Sequence, residues 1–267
     1  MRFGSALRVR TFRLVLNPPL TLSPGHYRLW VNGIHHGDIS FNTLMYDITR
    51  TGDPVGVIND FELATWADHS TTNNNCTGTI PFMAIDLLDG GLEDRISRLY
   101  RHDMKSFVWV LAYITVANIE YKDCTIKISP LPRVDTWFKD DNEADRHAHI
   151  SSKRIFHFDY GHRQQVSEGY FTYHTVVRQM IRHWGDFYQS LEEMKYPPQP
   201  RWPGISESVR ETPAPGKPEV DDPAGSLKQF ITTVETSLGK HDVKWFTELK
   251  TLLLEVLETP TVTVNAA

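Results

Sequence analysis

The sequence predicts a mainly α-helical fold with a little β-structure, and three segments carry this prediction. Residues 106–119, SFVWVLAYITVANI, are apolar almost all round, which is typical of a helix buried on every side. Between residues 170 and 184, apolar side chains recur at the spacing of one helix face. Residues 55–64, VGVINDFELA, instead have the character of an apolar strand that stops at Asp60.

The other segments divide the chain into four predicted parts. Residues 1–24 form an N-terminal remnant, and the domain covers residues 25–196, with a short helix over 20–35 that runs into a loop. A proline-rich linker, which includes PPQPRWPG and TPAPGKPEVDDP, covers residues 197–224. The tail, residues 225–258, contains two segments with helical spacing. They either fold back on the domain as a hairpin or bind a partner.

Composition limits the classes of function. The formal charge of −5 gives no basic surplus, so nucleic-acid binding is not expected. No apolar run approaches the roughly 18 residues that a membrane span needs. Cys76 and Cys124 form neither a disulfide framework nor a spaced set of metal ligands. The sequence therefore predicts an intracellular protein, cytoplasmic or nuclear, in a reducing compartment.

Polar groups with possible chemistry collect in four short segments. In residues 33–43, GIHHGDISFNT, a lone Asp38 follows two histidines. Asp-Phe-Glu at 60–62 ends the predicted strand, TGTIPFMAID occupies 77–86, and YRHDMKSF occupies 100–107. Each segment alone is a weak signal, because an isolated aspartate in a loop is usually a turn or cap residue. Their order and spacing make them informative together.

In this order, the four segments resemble the C-terminal lobe of a protein kinase, and in particular the fungal-type protein kinase family. Residues 36–38, His-Gly-Asp, stand where that family has its H-R-D catalytic loop, and residues 60–62 stand where it has D-F-G. Residues 78–86 match the segment that ends in A-P-E. The resemblance covers roughly residues 25–190.

The resemblance implies phosphorylation of serine or threonine on proteins, with ATP and Mg²⁺ as cofactors and a protein substrate or scaffold as partner. It implies two catalytic residues: Asp38 accepts the proton of the substrate hydroxyl, and Thr79 bonds back to Asp38. Asp60 is implied as the metal-binding carboxylate, with Asn42 as a second metal ligand. Residues implied on the cofactor side of the loop are Ser40, Asn42 and Thr43. Residues implied in structural roles are His36, Phe61, Asp86 and Asp103.

Two substitutions depart from the family pattern. Thr43 stands where the family has its asparagine metal ligand, and Asn42 replaces that ligand only if the loop shifts by one residue. Gly37 stands in place of the arginine that would pair with a phosphorylated activation loop.

The part of the chain before His36 is the larger departure. A kinase N-lobe needs roughly 60 to 80 residues, but only 35 precede His36. Neither a glycine-rich phosphate loop nor any lysine occurs before Asp38. The resemblance therefore implies a mainly α-helical kinase C-lobe with a small β-hairpin at the catalytic and metal loops and an absent or vestigial N-lobe. We expect little or no phosphotransfer by this chain. The chain is then either a truncated kinase or a pseudokinase that acts as a scaffold. Aminoglycoside- or choline-type phosphotransferases, which also use H-G-D, are a lesser alternative because they lack the T-G-T segment.

Overall fold

The computed structural model describes residues 22–48, 50, 54–67, 77–89, 97–116, 118–122, 125–129, 148–153 and 220–238, with 250–251, 254–255 and 257–258. The helices in these ranges are α1 (22–31), α2 (Ile85–Asp89), α3 (Tyr100–Val116), α4 (148–153) and α5 (Pro223–Leu238), with a 3₁₀ turn at Ile80–Phe82. The strands are β1 (Ile34–His35), β2 (Leu44–Ile48), β3 (Pro54–Ile58), β4 (Thr65–Trp66), β5 (Asn118–Lys122) and β6 (Thr125–Ser129). The prediction of a mainly helical chain with a little β-structure agrees with these elements. The predicted helix at 170–184, the remnant before residue 22 and most of the linker lie outside the described residues.

The strands of the described ranges pair as antiparallel two-stranded ladders, β1 with β4, β2 with β3, and β5 with β6. The β2–β3 hairpin runs from the Leu44–Ile58 pair to the Ile48–Pro54 pair. In the sequence the hairpin lies between the loop that carries Asp38 and the loop that carries Asp60. In space it brings the ends of these two loops together. The predicted strand over 55–64 is shorter in the structure, because Asp60 adopts a φ of 64° that no extended strand accommodates.

Helix α3 is the central element of the described core. Tyr100, Phe107 and Trp109 are at most 1% exposed, as expected for a helix that is apolar almost all round. The predicted helix over 106–119 is corrected at its C-terminal end, since α3 stops at Val116 and the chain enters β5. The alternating pattern TIKIS in β6 is a strand signal that the sequence analysis did not use.

Helix α5 packs against α3 through one apolar face. Four side chains at positions i, i+3, i+4 and i+7 of this helix are at most 4% exposed: Leu227, Phe230, Ile231 and Val234. Burial of such a side chain stabilises a fold by about 1.5–3 kcal/mol. At its N-terminus, the Asp222 carboxylate accepts the N–H of Gly225 at 2.9 Å, and Pro223 occupies the first helical position. The first tail helix thus folds back on the domain.

A second apolar cluster holds α2 and α4 together. It consists of Met83, Ala84, Leu87, Leu88 and Ile150, with Ile80 and Ile85 packed against it. Ile80, the residue after Thr79, packs against this cluster. Within the described ranges, no helix has the length and apolar character needed to cross a membrane.

Candidate functional site

The Asp38 carboxylate joins two segments that are 41 positions apart in the sequence. We name residues 36–43 the Asp38 loop and residues 77–83 the Thr79 segment. The backbone N–H and the hydroxyl of Thr79 both donate to Asp38 Oδ1, each at 2.7 Å. Hydrogen bonds to an ionised carboxylate are about twice as strong as neutral ones. These two hydrogen bonds therefore hold the carboxylate of Asp38 through its Oδ1. None of the contacts among the described residues engages its Oδ2.

Two glycines allow this close approach. Gly37 has a φ of +77° and Gly78 a φ of +138°, both in the region that L side chains rarely adopt. A Cβ on Gly78 would lie 3.0 Å from the carbonyl oxygen of Gly37, and one on Gly37 would lie 3.2 Å from that of Leu63. An arginine at position 37 would thus be strained in this backbone. The sequence departure at Gly37 follows from how the two segments meet.

His36 connects the Asp38 loop to residues 59–64, which we name the Asp60 loop. Its buried ring accepts the N–H of Asp38 at Nδ1 (3.2 Å) and donates from Nε2 to the carbonyl oxygen of Asn59 (3.0 Å). A neutral imidazole that carries its proton on Nε2 satisfies both bonds. Phe61 contacts the same ring edge-on, with 4.9 Å between ring centroids. These contacts tie the Asp38 loop to the Asp60 loop, and the structural roles implied for His36 and Phe61 stay predictions.

Asp60 lies next to Asn59, at the point where the chain leaves β3. It is a non-glycine residue with a φ of 64°, which aspartate tolerates better than most residues do. Backbone strain of this kind tends to cluster at functional sites. The Asp60 side chain is exposed, and none of the hydrogen bonds or ion pairs among the described residues uses its carboxylate. It is therefore available to an external cation.

A cavity of about 460 Å³ opens beside the Asp60 loop, between α1 and β3. Its walls include Leu22 and Leu29 of α1, Gly56 and Ile58 of β3, and Phe61. This volume lies within the range of ligand pockets in proteins. Phe61 itself is 44% exposed, so the cavity has an open rim.

Thr43 lies inside the turn of the Asp38 loop. Its hydroxyl lies 2.9 Å from the carbonyl oxygen of Asp38 and 3.1 Å from that of Ser40, and it accepts the backbone N–H of Ser40 at 2.9 Å. Thr43 is 2% exposed and Ser40 is 1% exposed, whereas Asn42 between them is exposed. One hydroxyl has one proton and two lone pairs, so these bonds use most of its capacity. In this arrangement Thr43 holds the turn, and Asn42 is the side chain that faces solvent.

Asp103 is fully buried at the N-terminal end of α3. Its Oδ2 accepts from Nε2 of His26 at 3.0 Å, and its Oδ1 accepts from Arg98 at 2.8 Å. Burial acts to raise the pKa of Asp103, but the His26 hydrogen bond and the Arg98 guanidinium outweigh it and hold the pKa far below its ordinary value. Arg98 also donates to the carbonyl oxygen of Thr77. Asp103 thus braces α1 and the Thr79 segment, and its implied brace on the catalytic-loop backbone stays a prediction.

Asp86, in the first turn of α2, pairs with two residues of α3. Arg101 and Nε2 of His102 both donate to its Oδ2, the latter at 3.0 Å. Burial acts to raise the pKa of Asp86, but His102, Arg101 and Lys105 together hold the pKa far below its ordinary value. The pairing ties the end of the 77–86 segment to α3. The structural role that the resemblance implies for Asp86 stays a prediction.

Lys153 of α4 is a buried cation that the sequence analysis missed. It is 0% exposed and donates to the carbonyl oxygens of Ile80 and Met83, at 3.2 and 2.5 Å, while its ammonium lies 4.9 Å from the Trp109 ring centroid. Burial, with a smaller effect of Lys105, lowers the pKa of Lys153 well below its ordinary value. Lys153 therefore holds the turn that follows Thr79. Its sequence context, ISSKR, contains no signal for this contact.

The lowered pKa of Lys153 makes the free energy of unfolding depend on pH, over a range that ends at about pH 10. Between that lowered pKa and about pH 10, the unfolded chain binds the proton more readily than the folded one, so the free energy of unfolding rises with pH. The slope reaches at most about 1.4 kcal/mol per pH unit. In Lys153→Met, this rise should disappear from denaturant titrations at successive pH values. Lys228→Met, at an exposed position of α5, is the control and should keep it. A rise that persists in Lys153→Met would contradict this account.

The donor set limits the kind of metal site. Among the described residues, no group of three or more His, Cys, Asp or Glu side chains is placed to hold a metal ion. Mg²⁺ is often held by only one or two carboxylates together with phosphate oxygens of the substrate. The free carboxylate of Asp60 fits that second kind of site, and the engaged hydroxyl of Thr43 does not.

Comparison with known proteins identifies a family that matches part of the chain. A search of the curated proteins found no match. Residues 24–115 match the family model described as fungal protein kinase, from α1 through nearly all of α3. The matched segment contains the Asp38 loop, the Asp60 loop and the Thr79 segment. The resemblance seen in the sequence is confirmed for this part of the chain, residues 24–115.

Proposed function

We propose that this chain is a protein kinase-like domain, built as a kinase C-lobe, that binds Mg²⁺–ATP and phosphorylates serine or threonine on a protein weakly. The observation that carries the proposal is the double hydrogen bond from Thr79 to Asp38 Oδ1. It brings together the two catalytic residues that the resemblance implies. Their contact across 41 positions supports the interpretation that the motifs form one site.

The geometry of Asp38 suits a general base. Because Thr79 engages only Oδ1, Oδ2 is the oxygen that accepts the proton of the substrate hydroxyl. The hydroxyl oxygen then bonds to the terminal phosphorus of ATP, and the bond from that phosphorus to the leaving diphosphate breaks. Bound Mg²⁺ supplies neutralisation of the phosphate charge. In this chain the Asp60 carboxylate would hold the metal, with the exposed Asn42 as the second candidate ligand.

We attribute weak turnover to the lack of a firm second protein ligand for the metal. Thr43 stands at the asparagine position, and its hydroxyl is already bonded to Asp38 and Ser40. A metal held by one firm protein ligand positions the phosphates poorly, and phosphoryl transfer depends mainly on positioning. We therefore propose a weak kinase rather than an efficient one.

Thr43→Asn is expected to strengthen the metal site. An asparagine supplies an amide oxygen for Mg²⁺, so we expect tighter Mg²⁺–ATP binding and phosphotransfer to a generic Ser/Thr protein substrate that is about tenfold faster or more. Titration of Mg²⁺ at fixed ATP measures the gain. Thr43→Val is the matched control, because it keeps the shape of threonine but supplies no ligand. If Thr43→Asn and Thr43→Val both leave Mg²⁺ dependence unchanged, position 43 is not a metal-ligand position.

A scaffold role without catalysis is the second candidate. The engaged hydroxyl of Thr43 favours it, as do exposed apolar side chains around the Asp60 loop, namely Phe61, Leu63 and Trp66 at 41–58% exposure. Such a pseudokinase would bind a protein partner and keep the fold of the site. Phosphotransfer that stays at background in both wild type and Thr43→Asn, with Mg²⁺–ATP binding absent, would favour this role over the weak kinase.

A further inference from the structure

Asp221 precedes helix α5 and lies outside the segment that matches the kinase family. Its two carboxylate oxygens accept hydrogen bonds from two different elements of the domain. Oδ2 accepts the indole N–H of Trp30 in α1 at 2.7 Å, and Oδ1 accepts the backbone N–H of Tyr100 at 2.9 Å. Tyr100 is the first residue of α3, so the second bond satisfies one of the free N–H groups at that helix end.

The Trp30 bond links the segment before α5 to the Asp38 loop. The Trp30 side chain is buried, and its ring stacks on that of His35 with 3.8 Å between centroids and an interplanar angle of 12°. His35 directly precedes His36 in the chain. The His36 imidazole accepts the N–H of Asp38 and donates to the carbonyl oxygen of Asn59. Three contacts thus connect Asp221 to the backbone of the proposed base.

The contact depends on a carboxylate. Two donors approach Asp221 from different elements, and each has its own oxygen. An asparagine offers one acceptor oxygen and an NH₂ group, so one of the two donors would face another donor. Because Asp221 lies two positions before Pro223, the first residue of α5, it keeps both bonds only while α5 stays packed on α3.

We infer that Asp221 is a positioning residue that couples docking of the tail helix to the orientation of Trp30, His35 and the Asp38 loop. The positioning role follows from the bonds of Asp221 to Trp30 and Tyr100 and from the stacking of Trp30 on His35. Its consequence for nucleotide binding and transfer rests on the proposed function. A residue that only caps α3 would use the Tyr100 bond alone, whereas coupling to the site requires the Trp30 bond.

The test compares Asp221→Asn with Asp222→Asn in the full chain. Asp222 is the adjacent aspartate and caps α5. Because asparagine caps a helix as well as aspartate does, Asp222→Asn removes one negative charge and leaves the Trp30 bond in place. Amide hydrogen exchange is read at Asp38 and Tyr100, and the indole N–H signal of Trp30 is assigned by its loss in Trp30→Phe. We expect Asp221→Asn to make exchange at Asp38 roughly 5- to 30-fold faster and to shift the Trp30 indole signal. Asp222→Asn should do neither.

The double variant separates coupling from general destabilisation. In a Trp30→Phe background, Asp221→Asn should add little to exchange at Asp38, because the route is already removed. If Asp221→Asn does not fold, Trp30→Phe alone should still accelerate exchange at Asp38 relative to Asp222→Asn. Unchanged Asp38 exchange in both Asp221→Asn and Trp30→Phe would overturn the inference.

The nucleotide measurement distinguishes this inference from the proposed function. If wild type binds Mg²⁺–ATP, Asp221→Asn should raise its Kd by a factor of at least about five, and Asp222→Asn should not. If wild type shows no binding, the proposed function fails, while the exchange data still decide whether Asp221 positions the loop.

Discussion

Replacing Asp103 with alanine is expected to lower the free energy of unfolding by about 3–5 kcal/mol, the range for breaking a buried ion pair from one side. The carboxylate is 0% exposed and accepts bonds from both His26 and Arg98. Its loss leaves the buried His26 nitrogen without an acceptor and releases Arg98 from the N-terminal end of α3. Chemical denaturation of the two proteins, monitored by circular dichroism, measures the difference.

Glu235→Ala is the matched control for Asp103→Ala. Glu235 also pairs with a cation, Lys250 at 2.6 Å, but their side chains are 53% and 36% exposed. Exposed pairs contribute about 0–1 kcal/mol, so this variant should stay within that range. Equal effects of the two substitutions would mean that Asp103 does not brace the core as described.

The largest expected effect on activity is at Asp38. In a Thr43→Asn background, where we expect a measurable rate, Asp38→Ala should lower kcat for protein phosphorylation by about 10²- to 10⁴-fold, the usual contribution of a general base. Because Asp38→Ala also removes the acceptor of both Thr79 hydrogen bonds, its unfolding is measured alongside kcat to show that the variant is folded.

Thr79 provides graded controls for the Asp38 result. Thr79→Ser keeps both donors to Asp38 Oδ1 and should keep the rate, while Thr79→Ala keeps only the backbone N–H. A single hydrogen bond to a charged group is worth about 1.5–3 kcal/mol, so Thr79→Ala should cost at least about tenfold in kcat. If Asp38→Ala retains the rate of its parent, Asp38 is not the base.

The sequence predicted the parts of this molecule that depend on local pattern. Residues 106–116 were predicted as a buried helix because they are apolar almost all round, and α3 contains them. The first tail helix was predicted from the spacing of Leu227, Phe230 and Val234, and α5 buries that face. The four motif segments could also be recognised from the sequence, because each is short and their order is characteristic of the family.

Long-range polar contacts could not be predicted in the same way. Lys153 and Asp221 reach partners 70 or more positions away, and nothing in their neighbouring residues specifies which carbonyl or N–H they meet. Thr43 shows a second limit. It stands at the position of the family's asparagine metal ligand, but its sequence neighbours do not show that a small hydroxyl in a tight turn bonds to the nearest backbone groups.

Nucleotide binding tests the central claim most directly. We would measure the thermal unfolding midpoint of the 267-residue chain with and without Mg²⁺–ATP, for wild type, Asp60→Ala and Glu62→Gln. Glu62 is an exposed carboxylate of the same loop and serves as the control. Ligand at 100 times its Kd contributes about 2.7 kcal/mol, which raises the midpoint by roughly 5–10 °C. The account predicts such a rise in wild type and Glu62→Gln and its loss in Asp60→Ala. An unchanged midpoint in wild type at saturating Mg²⁺–ATP, or a full rise in Asp60→Ala, would contradict it.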